Sequence, residues 1–192
     1  MIRNRYVGAG LTALLVALLV GCQPPKIDLS EMMKPPPRPA ELDQLEMLVG
    51  RWEGRAEMKV VGSDEVLTST GVEEIGWEAD SRLLVSRYEY TTAEEGRMTG
   101  LDVWTWDPKA KKYRYWGFDN HGYYGIGTAT YDEDTRTWHF KGKSYEPATG
   151  EKYVGEGTSK MVDDDTQDWE FSIWDGWKLQ KFMEFKGTSR RR

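Results

Sequence analysis

The chain has 192 residues, a single cysteine, 26 basic and 32 acidic side chains, and a set of aromatics that is unevenly spread. That length suits one domain with appendages, and one cysteine excludes an internal disulfide framework or a Cys-rich zinc site. A formal charge of −6 excludes the concentrated basic surface of a general nucleic-acid binder, and a hydrophobic content of 39% is low for an integral membrane protein yet sufficient for one globular core.

Arg3 and Arg5 open the chain with positive charge, and Leu11 to Val20 is almost wholly apolar before Gly21-Cys22. A charged start followed by so short an apolar run is a targeting segment, too short for a mature membrane span. Leu19-Val20-Gly21-Cys22 resembles the lipobox of bacterial lipoproteins, with the chain's only cysteine where the motif requires it. The resemblance implies cleavage of residues 1–21 as a lipoprotein signal peptide and acylation of Cys22, the lipid-anchor residue, with palmitate-type chains. Two or more acyl chains anchor stably where one binds only marginally. Gln23 in place of Asp after the cysteine implies, in a Gram-negative cell, the periplasmic side of the outer membrane. The expected location is therefore export and lipid anchoring to the cell envelope, against the alternative of an uncleaved signal anchor.

Residues 22–40 form the expected tether: six of the eight prolines lie between Pro24 and Pro39, and no aromatic occurs between Tyr6 and Trp52. Such a segment cannot bury a core and should run as an extended spacer, with Gln23 to Pro39 reaching roughly 50 Å at ~3.1 Å per residue. Ala40 to Val49 then places Leu42, Leu45, Leu48 and Val49 at helical spacing, which predicts a short amphipathic helix ended by Gly50.

From Arg51 the period changes to two. Trp52, Gly54, Ala56, Met58 and Val60 alternate with charged residues, as in a half-buried strand. Turn chemistry recurs at Gly62-Ser63-Asp64, Ala79-Asp80-Ser81, Ala93 to Gly96, Asp107-Pro108-Lys109, Asn120-His121-Gly122, Asp132-Glu133-Asp134, Pro147 to Gly150, Asp163-Asp164-Asp165 and Asp175-Gly176. Nine turns divide ten runs rich in Trp, Tyr, Val, Phe and Thr. A ten-strand meander removes its open edges by closing, so the predicted fold is all-β: an antiparallel up-and-down barrel over residues 41–188, preceded by the short helix and followed by a basic tail, 189–192. An open curved sheet or a two-sheet sandwich is the alternative.

Gly50-Arg51-Trp52-Glu53-Gly54 after a short helix resembles the opening of lipocalin-like (calycin) barrels. Trp77, Arg82-Leu83-Leu84, Trp106-Asp107-Pro108 with Lys111-Lys112-Tyr113, Val162 to Thr166 and Met183-Glu184-Phe185 are similar to the landmarks of a bacterial calycin-like family of unknown function. The resemblance implies the barrel and lends no settled activity. The nitrobindins, more distant, hold haem through a C-terminal histidine, and no histidine follows His139 here.

Of the aromatics, all but Tyr6 fall between Trp52 and Phe185. Such rings either line a cavity for an apolar or planar ligand or fill the barrel by packing. Trp52, Trp77, Trp104, Trp106, Trp116 and Tyr124 are the aromatic candidates for a cavity lining, and Glu184 is the acidic one. Glu74 and Glu184 are singled out because each lies within a strand, where one face must be interior. His121 lies in a turn and His139 on the strand face opposite its aromatic neighbours, so two sparse histidines give a weak metal or haem signal. The acidic turns lack the spacing of a calcium loop. No catalytic motif, metal cluster or cofactor site is recognised, and no nucleic-acid partner is expected. The expected function is a membrane-tethered module whose barrel binds a small hydrophobic ligand, lipids included. The alternatives are a non-catalytic structural or interaction module of the envelope, its protein partner unknown, and a haem- or metal-binding barrel.

Overall fold

The structure, a computed structural model, describes residues 29–92, 96–176 and 180–192. The expected signal segment, Cys22, the first part of the tether and residues 93–95 of one turn lie outside the described residues. Two units divide the chain at Pro37 and Arg38. In the first, one helical turn, α1 (Leu29–Met32), stands where a wholly extended spacer was expected. No proline falls between Pro25 and Pro35, so nothing there removes the backbone N–H that a helical turn needs. Residues 35–39 have no regular structure, as four prolines dictate.

The second unit begins with a 3-10 helix, Ala40–Leu48, where an amphipathic helix was expected. Its buried residues are Leu42, Leu45 and Leu48. A spacing of three matches the 3-10 period, in which every third side chain eclipses the last, so all three leucines share one face.

Ten antiparallel strands follow: β1 (Gly50–Val60), β2 (Val66–Glu78), β3 (Leu83–Thr92), β4 (Gly96–Asp107), β5 (Lys112–Asp119), β6 (Tyr124–Asp132), β7 (Thr137–Tyr145), β8 (Lys152–Met161), β9 (Thr166–Asp175) and β10 (Lys181–Arg191). Each pairs with its sequence neighbours, and β1 pairs with β10, closing the barrel. The connections fall at the nine turns read from the sequence. Strand β10 runs through Arg191, so residues 189–191 of the expected basic tail are strand.

Because side chains alternate, the register fixes which residues face inward. Trp52, Glu73, Tyr88, Gly100, Asp119 and their period-2 partners form one continuous inner face. The loops at 79–82, 108–111, 133–136 and 162–165 lie at the end covered by the 3-10 helix, and those at 61–65, 120–123 and 146–151 at the other. The core of the barrel is confined to the covered end. Leu42, Leu45, Leu48, Trp52, Leu84, Tyr113, Ala129, Trp138 and Met161 form a buried cluster there. Arg191 locks it: its guanidinium lies 4.7 Å over the Trp52 ring and donates to the carbonyls of Met47 (2.6 Å), Val49 (2.9 Å) and Asp164 (2.9 Å). The Trp52 Nε1–H donates to Leu48 O at 2.8 Å, and Tyr113 Oη–H donates to Glu41 O at 2.6 Å, so helix and barrel share one set of bonds.

Candidate functional site

Beyond the covered end the interior changes character. Trp104, Tyr115, Phe140, Phe171, Trp169, Phe185, Tyr88 and Tyr90 all occupy inward positions, yet each keeps partial solvent exposure. An inward ring in a closed barrel meets solvent through the lumen, so this half of the barrel is hollow. Ten strands enclose more space than the eight whose interior side chains just fill it. The rings form a connected floor and wall: Trp104 lies 5.2 Å from Tyr115 and 5.7 Å from Phe140, Phe140 lies 5.2 Å from Phe171, and Phe171 lies 6.2 Å from Trp169.

Glycines make this space. A Cβ at Gly71 would collide with the Tyr90 ring, one at Gly100 with Tyr88, one at Gly127 with Tyr115, and one at Gly187 with Trp169. Each ring therefore lies flat on the neighbouring strand instead of reaching across the lumen.

On β2 to β4 the wall is polar. Glu73 pairs across the sheet with Tyr88, Ser86 with Asp102, and Asp102 with Gly117. The Ser86 hydroxyl donates to Glu73 Oε1. Asp102 lies against β5 in a slot open only because residue 117 is glycine, since a Cβ there would collide with its Oδ1. Among the described residues no hydrogen-bond donor reaches Asp102. Both carboxyls are enclosed by protein, while their residues keep partial solvent contact through the lumen. Burial pushes the Glu73 carboxyl above the usual range, against the lowering effect of the Ser86 hydrogen bond. Burial, and then the neighbouring Glu73 charge, raise Asp102 to about 7. Burial foremost, with the charges of Glu73 and Asp102 added, lifts the phenols of Tyr88 and Tyr90 well above their ordinary value, and burial followed by Asp102 brings Tyr115 to about 12. These tyrosines therefore stay neutral.

The other inward-facing ionisable groups of the described strands sit at the two ends. Asp119, Tyr153 and Asp175 are at the open end, and Tyr113, Tyr131 and Arg191 at the covered end. Arg191 is the only inward lysine or arginine among the described strand residues, and it is committed to the base. A Gly117→Ala substitution should cost ~1–3 kcal/mol by forcing Asp102 from its slot. In an Asp102→Ala background the cost should vanish, which chemical denaturation of the four variants measures as a double-mutant cycle.

The residues expected to line a cavity divide. Trp104 forms the floor of the hollow half. Trp106 faces inward and packs on Tyr113 at 4.9 Å. Trp52 and Trp77 face inward at the covered end, where Trp52 belongs to the buried base and the Trp77 Nε1–H donates to Glu46 of the 3-10 helix at 2.6 Å. Trp116, Tyr124 and Glu184 face outward and do not line the lumen. Trp116 neighbours Val103 and Ile126 on the outer sheet face, and Tyr124 stacks on Tyr145 at 5.0 Å, making an apolar patch with Leu101 and Phe118. Glu184 is paired with Lys181 at 2.7 Å, and Glu74 is likewise outside, paired with Arg51 at 2.7 Å. The interior acids are instead Glu73 and Asp102, which share the strand parity of Trp77 and Trp104. His139 is exposed on the outer face and His121 is exposed in its turn, so neither supplies a ligand to the lumen. The described residues contain no group of three or more His, Cys, Asp or Glu placed to hold a metal ion. A broad groove on the outer face of β1 to β3 is lined by Arg51, Glu53, Glu74, Arg87 and Glu89, charges already paired among themselves and with Glu78, Arg97 and Arg192.

A family profile, DUF1579, described as a protein of unknown function, matches residues 39–189. No curated protein matches the sequence. Among solved structures, an S-type phycobiliprotein lyase from Guillardia theta is similar at 12% identity, with a TM-score of 0.58 over 81% of this chain and 94% of that one. The protein Rv2717c from M. tuberculosis is similar at 12% identity, with a TM-score of 0.62 over 81% and 99% of the two chains. At such identities the likeness is one of fold.

Proposed function

The chain belongs to DUF1579, a family of unknown function, and we propose that this member is a binding module whose barrel holds one small apolar, planar molecule in its hollow half. The observation that carries this reading is the break in packing: fully buried apolar side chains stop at the covered end, and above them inward rings remain solvent-accessible. A barrel kept only for its shape gains stability by filling that space, because each lost contact costs free energy. Glycines under the rings preserve the space instead. Offset and edge-on ring pairs at 5–6 Å offer flat faces to a planar guest.

The reading extends to the cell envelope through the N-terminal segment: Cys22, acylated after cleavage, would tether the barrel by its proline-rich spacer. Palmitate labelling that is lost in Cys22→Ser tests the tether, and unlabelled wild type refutes it.

Binding itself is tested by native mass spectrometry of protein purified from its own host. A discrete extra mass of a few hundred daltons, released on denaturation, is expected. A barrel that is consistently empty, and whose tryptophan emission does not respond to apolar aromatic probes, overturns the proposal.

A further inference from the structure

The lumen carries an electrostatic demand that its apolar lining does not explain. Glu73 and Asp102 project into it from β2 and β4, and no lysine or arginine of the described strands faces them. The wall from β7 to β10 offers Phe140, Phe171, Trp169 and Phe185, none of which ionises. The phenols of Tyr88, Tyr90 and Tyr115 flank the acids, and Asp119, Tyr153 and Asp175 at the mouth add no positive charge. The Ser86 hydroxyl satisfies one oxygen of Glu73. Asp102, enclosed by protein, accepts no hydrogen bond from a described residue. Two carboxyls enclosed beside each other without a cation are unfavourable for folding and are tolerated where a site needs them. No third metal-ligating side chain joins them among the described residues.

We propose that the ligand carries a cationic nitrogen group, an ammonium or amidinium on an aromatic or otherwise apolar body, which Glu73 and Asp102 bind from one wall while Trp104, Tyr115, Phe140 and Phe171 hold the body. The proposal rests on the lumen being a ligand cavity and adds the charge of its guest. The body lies against rings whose faces are negative, and a cation beside them gains further attraction. An anionic guest such as a fatty acid is disfavoured, because its carboxylate would join two others where no lysine or arginine of the described strands faces it.

Three probes sharing one naphthalene body separate charge from shape: 1-naphthylmethylamine, 1-naphthalenemethanol and the 1-naphthaleneacetate anion, titrated calorimetrically into the folded chain at pH 8. The expected order is amine, alcohol, acetate, with the amine about tenfold or more tighter than the alcohol, equivalent to ~1.4 kcal/mol. Asp102→Asn and Glu73→Gln should each abolish that preference, so that the amine then binds no tighter than the alcohol. Both replacements are isosteric and remove an unfavourable buried charge, so folding is retained. If the alcohol binds and the amine binds no better, the charge assignment is overturned and the cavity stands. If the preference persists in both variants, the assignment to these two residues is overturned. If none of the three binds, the cavity itself is refuted and the assignment falls with it.

Discussion

Asp102→Asn should raise the melting temperature at pH 8 by on the order of 5 °C, with the gain shrinking on acidification and closing near pH 4. The sign follows from the direction of the shift. Asp102 titrates at about 7 in the folded barrel, well above an ordinary carboxylate, because it is buried beside Glu73. The folded chain thus binds its proton more tightly than the unfolded chain does. Stability associated with the protonated form is complete below the ordinary carboxylate range and is lost as pH rises towards 7. Asparagine fits the slot over Gly117 and never ionises, so it escapes that loss. Raised Glu73 adds a second component of the same sign, and Glu73→Gln should behave likewise, reduced by the hydrogen bond from Ser86. Thermal melts across pH 4 to 8 decide it: an Asp102→Asn chain less stable than wild type at pH 8 would show that the carboxylate has a favourable partner.

Trp52→Ala should be the most destabilising single change, at ~3–5 kcal/mol for loss of a large buried ring. The ring is 1% exposed and joins three elements. It sits on β1, donates to Leu48 of the 3-10 helix, and lies under the Arg191 guanidinium of β10. Removing it leaves the carbonyl of Leu48 without its donor and takes the flat support from an arginine that closes the base. Trp52→Phe keeps the ring face and loses the bond, so it should cost only ~1–2 kcal/mol. Urea unfolding of the two variants measures the difference. Equal losses would show that the ring matters only through its hydrogen bond. Trp104→Ala, by contrast, removes a ring already facing open space and should lower stability less while weakening probe binding.

Most of the fold was legible because it is written locally. Gly62-Ser63-Asp64, Asp107-Pro108-Lys109 and the other turn clusters each mark a hairpin, and alternation from Trp52 to Met58 sets the inner face of β1. Closure was inferable from the unpaired edges alone. The short helix before Gly50 was legible from Leu42, Leu45 and Leu48, and their spacing of three accounts for its 3-10 form. The site was less legible. Glu73 and Glu74 are adjacent, and which of them faces the lumen depends on register across hairpins. Parity with Trp77 selects Glu73, and parity with Trp104 selects Asp102. Trp116 and Tyr124 were read as interior because aromatic residues within strands suggest burial, whereas the register puts them on the outer face of β5 and β6. The last strand was cut short at a basic run, since Arg190-Arg191-Arg192 reads as a solvated tail. The alternating pleat instead turns Arg191 inward onto Trp52.

The central claim is a lumen that admits a guest, and one titration tests it most directly: N-phenyl-1-naphthylamine added to wild type and to Ser144→Trp, whose new ring would occupy the open half beside β6 and β8. The expected result is saturable fluorescence enhancement at one probe per chain in wild type, with energy transfer from tryptophan, and its loss in the folded Ser144→Trp variant. Identical enhancement in both proteins, or none in wild type, would place the probe outside the barrel or nowhere, and would contradict the account.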